Sequence, residues 1–221
     1  TDGDAWVNGV RYRRISRKNT NSSFNFGNVS YSYFKWEKIR WKVLENNGSA
    51  LFLAADQGLD SRKYDEVGEA VTWEDSGMRG WLNSEFYRVA FNSGEQNVIL
   101  EHTLTNENNP VYGTAGGNNT QDKVFLLSAR EVVNPAYGFC SDGAAGSASA
   151  SRQVLPSDYA VTRGAWQSYR NLNCSWWLRS PGDRASYVAN VGSEGEIGNN
   201  GDGATNESSV VVPAICIDKT S

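Results

Sequence analysis

The amino-acid sequence predicts an α+β fold: a mostly antiparallel sheet, two or three helices and long polar loops, in one domain spanning residues 1–221. Strand-like apolar stretches cluster at both ends of the chain, while helical spacing is confined to the middle. Hydrophobic residues make up only 39%, but 8 Trp, 10 Tyr and 8 Phe are among them, so the core is aromatic-rich, a composition that suits strands. The connections are rich in Gly, Asn, Asp and Ser, the residues of turns. No internal repeat or linker divides the chain, and a chain of this length can bury a full core without a metal or disulfide.

Residues 5–16 alternate around Trp6, Val7, Val10, Tyr12 and Ile15, with Asn8-Gly9 as a tight turn between two strands. Residues 17–30 form a polar loop, so residues 1–25 read as an appended hairpin and loop. Phe34 to Leu44 alternates in part, Asn46-Asn47-Gly48 turns, and Ala50 to Ala55 returns as an apolar strand buried on both faces. Thr72 or Asp75 caps a helix on which Met78, Trp81, Leu82 and Phe86 fall at helical spacing. Ser93 with Gln96 has the capping-box pattern of a second, short helix that Val98, Ile99 and Leu100 carry into the core. Residues 105–121 are a polar loop and Val124 to Leu127 a buried strand; Ser128 and Glu131 then open a further helix with a second capping box. Residues 141–158 are a Gly/Ala/Ser loop, and roughly 159–170 reads as helical. Trp176 to Ser180 is a strand stopped by Pro181-Gly182, with both tryptophans in the core. Tyr187 to Val191 is the next strand, residues 198–209 are loop, and Val210 to Ile217 closes the chain as a strand in which Pro213 requires an edge or a bulge.

The composition excludes several functions. A net charge of −4 argues against nucleic-acid binding. The basic run Arg11, Arg13, Arg14, Arg17 and Lys18 reads as a charged strand edge that blocks unwanted pairing, with a polyanion site as the alternative. No apolar run is long enough to span a bilayer, so no membrane insertion is expected. The start, Thr1-Asp2-Gly3-Asp4, resembles an internal cut, so a signal peptide or neighbouring domains are expected upstream. His102 is the only histidine, which leaves no two-His metal motif and no triad. Cys140, Cys174 and Cys216 are too far apart for a zinc or redox motif and read as free thiols, with one disulfide open as the alternative. The carboxylates, among them Glu74, Asp75, Glu85, Asp183, Glu194 and Glu196, suggest no catalytic pair. Residues 199–203 offer oxygen ligands but lack the order of a calcium loop. No cofactor or metal is expected, and the isolated domain is expected to be a monomer.

Four blocks stand out together: Trp41 to Leu44, Trp73 to Phe86 (W-E-D-S-G-M-R-G-W-L-N-S-E-F), Asp122 to Glu131 (D-K-V-F-L-L-S-A-R-E) and Trp176 to Gly182 (W-W-L-R-S-P-G). With the closing V-V-V-P-A-I-C-I, they resemble a bacterial family of domains of unknown function found on secreted and cell-wall proteins of gut Firmicutes. The resemblance covers most of the chain. Val212 departs from it, since the family pattern has Arg before Pro-Ala. More distantly, the layout is similar to the C-type-lectin-like fold, which often joins its terminal strands in one sheet. That fold includes the formylglycine-generating enzymes, whose paired copper-binding cysteines have no match here.

The resemblance implies a non-catalytic extracellular or cell-surface domain that binds or displays, its ligand a glycan or a host or bacterial surface protein. The alternatives are a structural spacer without a ligand and, last, an enzyme. Loops at 105–121, 141–158 and 198–209 would carry binding on a rigid scaffold. Six residues are the expected ligand contacts: Trp166 and Tyr169, three apart and so on one face of the expected helix; Arg184, a planar donor after the Pro181-Gly182 turn; and Asn199, Asn200 and Asp202 in the polar loop.

Overall fold

A computed structural model describes residues 2–20, 29–143 and 147–220. Residues 21–28 of the expected N-terminal loop, residues 144–146 of the loop at 141–158, and Thr1 of the expected cut lie outside the described residues. The architecture is α+β with mostly antiparallel sheets.

Asn8 and Gly9 both take positive φ, 50° and 77°, the twist a two-residue hairpin needs. They join Gly3–Val7 to Val10–Ser16, and Tyr31–Lys35 pairs on the other side. The arginine-bearing strand Val10–Ser16 is therefore central in this three-stranded sheet, not the charged edge its composition suggests. Ile15 on this strand is buried, and Phe34 on its neighbour meets Tyr159 of the Asp158–Arg163 helix edge-on at 5.6 Å.

The second sheet holds the expected hairpin only from Trp41: Trp41–Asn46 pairs with Ala50–Ala55, while Phe34 and Lys35 end a strand of the N-terminal sheet; Ala214–Asp218 lies beside Ala50–Ala55 and Val124–Phe125 beyond it. Early and closing strands thus share a sheet. The third sheet runs Ile197–Gly203, Tyr187–Val191, Trp176–Pro181, Val210–Val211, Asp60–Ser61. The expected single closing strand is split between the two sheets. Pro213 has no N–H to give a ladder, so Val210–Val211 stays in the third sheet and Ala214–Asp218 crosses to the second. Ile197–Gly203 was expected as loop from residue 198. Its alternation is written in Asn and Gly: Ile197, Asn199 and Gly201 turn inward. Gly201 sits at φ 73°, where a Cβ would lie 2.4 Å from the Val188 carbonyl oxygen, so the strand requires glycine there.

The main helix runs over residues 77–90, with a π turn at Leu82–Phe86. Its cap is Ser76, whose Oγ accepts from the Arg79 N–H at 3.1 Å; Thr72 instead donates to Asp75. The short helix Ser93–Val98 has its capping box one residue early, between Asn92 and Glu95, because Asn92 holds the extended backbone that a cap requires. The Ser128–Glu131 box forms, yet only a 3-10 turn, Glu131–Val133, follows it. Arg179 holds the same Glu131 carboxylate, and Pro135 arrives too soon for another turn. The helix Asp158–Arg163 ends at Gly164 (φ 123°), well short of residue 170.

Trp73, Trp176, Trp177, Tyr64 and Phe125 are fully buried in one core. Polar anchors stitch it. Buried Asp122 accepts from Trp73 Nε1 at 2.9 Å, Arg79 Nε at 2.7 Å and Thr120 Oγ1 at 2.7 Å. Buried Arg179 grips Glu131 through both Nη atoms and donates to the Leu126 carbonyl at 2.8 Å. Asn109 donates to the carbonyls of Pro181, Gly182 and Asn199, pinning the 105–121 loop to the last strands.

Candidate functional site

A cleft of about 590 Å³ opens between the N-terminal sheet, the 77–90 helix and the Asp158–Arg163 helix. Its floor is built by a close approach: a Cβ on Gly58 would fall 2.3 Å from the Val210 side chain, so only glycine lets the chain run in beside Val210–Val211. Leu59 N–H then donates to the Val211 carbonyl and Asp60–Ser61 pairs with Val210–Val211, which turns Asp60 toward the cleft.

Asp60 is 7% exposed. It accepts the Ser61 N–H at 2.8 Å. Arg62 Nη1 and Arg163 Nε stand 3.8 and 3.9 Å from its oxygens, within ion-pair range but beyond hydrogen-bond length. Burial raises the Asp60 pKa above the ordinary carboxylate value, and the charges of Arg62, Arg163 and Arg13 offset this only in part. Burial also raises the Tyr159 pKa, with Asp60 adding to it.

The walls are aromatic and cationic. The Arg62 guanidinium lies 4.3 Å from the Trp81 ring centroid. Arg11 and Arg13 cover Trp36 at 4.2 and 5.2 Å, and Asp4 holds both of them in place. Two buried donors, Trp36 Nε1 and Arg163 Nε, have no hydrogen-bond partner among the described residues, a condition native interiors rarely tolerate without a reason. The cleft can therefore hold a flat apolar body and offer it charge-assisted donors.

The six residues expected from sequence do not form one constellation. Trp166 is 48% exposed and Tyr169 96% exposed. Both lie beyond the helix end at Gly164, so they share no helical face. The Trp166 N–H donates to the Ser208 carbonyl instead. In the same segment Leu172 holds φ 63°, a strained value for a leucine, and is exposed. Arg184 is exposed, tied to Asp183 at 2.7 Å and laid over Tyr187 at 4.5 Å. Asn200 is exposed and Asn199 buried, while Asp202 accepts from Asn190 Nδ2 at 2.7 Å; these three belong to a strand rather than a loop. Of the cleft residues, the sequence pointed only to Arg13, as part of the basic run. Trp81 was read as part of the Trp73 to Phe86 helix block and not as a site residue, while Asp60, Arg62, Trp36 and Tyr159 come from three other segments and carry no motif.

Among the described residues no group of three or more His, Cys, Asp or Glu could hold a metal, and no helix is long and apolar enough to cross a membrane. All three cysteines are free thiols. Burial raises the pKa of Cys174 to about 12 and that of Cys216 to about 11.

A family model described as "Domain of unknown function (DUF6273)" matches residues 47–219. No curated protein and no solved structure matches the chain.

Proposed function

The chain belongs to the DUF6273 family of domains of unknown function, and we propose that it is a non-catalytic binding domain whose ligand sits in the cleft over Asp60. The reading is carried by one observation: a ligand-sized, aromatic-walled cleft that includes the buried carboxyl of Asp60, with unsatisfied donors on Trp36 in its lining and on Arg163 beside Asp60. Such cavities, apolar with a few convergent polar groups, are where small ligands bind. Binding rather than catalysis fits, because among the described residues no second acid or nucleophile hydrogen-bonds to Asp60. An extracellular or cell-surface setting, with a glycan or a surface protein as the natural partner, remains part of the proposal. So does the kinship to the C-type-lectin-like fold, which the pairing of Ala50–Ala55 with Ala214–Asp218 supports.

A glycan and metabolite screen followed by indole N–H NMR shifts tests this. Ligands should move the Trp36 and Trp81 signals, and Tyr159→Ala should weaken binding while Trp166→Ala leaves it unchanged. The reverse pattern would move the site to the exposed segment of Trp166, Tyr169 and Leu172. That second surface is favoured by its strained leucine and exposed aromatics, features that ordering against a partner would explain.

A further inference from the structure

We infer that the cleft takes a ring bearing one carboxylate, with the carboxylate held by Arg62 and Arg163 over Asp60 and the ring against the aromatic walls. This rests on the cleft being the binding site. Donors are in surplus around Asp60. Two guanidinium groups face one carboxyl, and neither hydrogen-bonds to it. Among the described residues Arg163 Nε is buried without an acceptor, as is Trp36 Nε1. Asp4 already engages the third cation, Arg13. An arriving carboxylate supplies the missing acceptors, and the planar guanidinium fork matches its two oxygens.

The charges facing Asp60 from each element around it agree. Arg62 lies beside its own strand, Arg163 and Tyr159 on the Asp158–Arg163 helix, and Arg13 on the N-terminal sheet. The other acids lining the cleft are Glu37, which pairs with Lys35 at 3.3 Å, and Glu85 on the 77–90 helix; Lys38 and Arg40 add further positive charge. The lining thus sets five cations, Arg13, Lys35, Lys38, Arg40 and Arg62, against three acids, Asp60, Glu37 and Glu85, a balance that favours an anion over a cation. Because burial holds Asp60 toward its protonated form, it repels an anion less than a solvated aspartate would, and once protonated it donates to the ligand. Binding should therefore tighten as pH falls through the Asp60 pKa, until the ligand's own carboxylate protonates. The walls set the rest: Trp36, Trp81 and Tyr159 offer apolar surface to a ring, either aromatic or the carbon face of a sugar.

The test uses two matched pairs, benzoate with benzamide and glucuronate with glucose, titrated into the whole chain at pH 7 and pH 5 and read at the Trp36 and Trp81 indole signals. We expect one acid to bind roughly tenfold tighter than its neutral twin, about the worth of one charge-assisted hydrogen bond. Which pair responds tells an aromatic acid from a sugar acid. The advantage should vanish in Arg163→Gln and in Arg62→Gln, each first shown to melt as wild type, so that the loss of either fold alone leaves the other variant to decide. If the neutral twins bind at those tryptophans as tightly as the acids, the carboxylate inference fails and the cleft reading stands. If none of the four moves either signal, the cleft reading fails and takes the inference with it.

Discussion

Replacing Glu131 with Gln should destabilise the domain by about 3–5 kcal/mol, the cost of leaving a buried charge without its partner. The contact set supports a value in this range. The Arg179 guanidinium is buried and has two bonds to Glu131, one to the Leu126 carbonyl at 2.8 Å, and a marginal one to the Thr105 carbonyl at 3.5 Å. In Glu131→Gln the guanidinium keeps only neutral acceptors, the Leu126 carbonyl and one amide oxygen, while the amide NH2 replaces the second carboxylate oxygen with a donor. Glu131 also accepts the Ser128 N–H at 2.7 Å, so the turn that follows loosens too. In a domain of this size the loss corresponds to a fall in Tm of roughly 6–20 °C. The pH dependence gives a second readout. Burial alone would raise the Glu131 pKa, but the Arg179 charge and hydrogen bonds, with those of Ser128, lower it below the ordinary value. A lowered folded-state pKa stabilises the protein above the unfolded value, about 4.3, and that contribution is lost as pH falls through the folded value. Urea unfolding of wild type and Glu131→Gln between pH 7 and pH 3 should show a gap that is full at pH 7 and narrows below pH 4. The double variant Glu131→Leu with Arg179→Met should cost less than the sum of its parts. A single-variant cost under about 1 kcal/mol, or a gap unchanged at pH 3, would refute the reasoning.

Three other outcomes follow from burial. Trp177→Ala should cost roughly 3–5 kcal/mol in denaturant unfolding, since the ring is fully buried against Tyr64 and its Nε1–H donates to the Arg62 carbonyl at 3.0 Å; a change within error would place it at the surface. Asp60→Asn should behave oppositely to Glu131→Gln. A folded pKa raised by burial means that ionised Asp60 costs stability at neutral pH, so the variant should be more stable than wild type at pH 7 and lose that lead as pH falls toward the unfolded value; a less stable variant at pH 7 would show that the arginines outweigh burial. Iodoacetamide at pH 8 should label the native chain once, at exposed Cys140, because the thiols of Cys174 and Cys216 are buried and protonated; labelling at either of those, read by peptide mass, would contradict the buried placement.

What the sequence made legible was local. The Asn8-Gly9 and Asn47-Gly48 hairpins, the Tyr187–Val191 strand and the buried pair Trp176 and Trp177 each follow from a few adjacent residues. The misreadings arose where a distant partner decided. Ser128–Glu131 has the letters of a helix start, but Arg179, far along the chain, claims the glutamate. Ile197–Gly203 has loop composition, but pairing with Tyr187–Val191 makes it a strand. Trp166 and Tyr169 looked like one patch only while a helix was expected to run on past Gly164.

The same contrast separates scaffold from site. Blocks singled out in the sequence are joined to one another by buried polar contacts: W-W-L-R to S-A-R-E through Arg179 and Glu131, and the Trp73 and Arg79 block to D-K-V-F through Asp122. A buried ion pair or a filled carboxylate cannot lose one member without leaving the other unsatisfied, so these positions depend on one another. The cleft is built differently: apart from buried Asp60 most of its lining is at least partly exposed, and Arg13 and the Phe34 to Arg40 wall lie before the stretch that matches the family, residues 47–219. The buried contacts between blocks report how the domain is built. Under the cleft proposal, binding falls instead to the residues around Asp60, which the N-terminal sheet helps to wall.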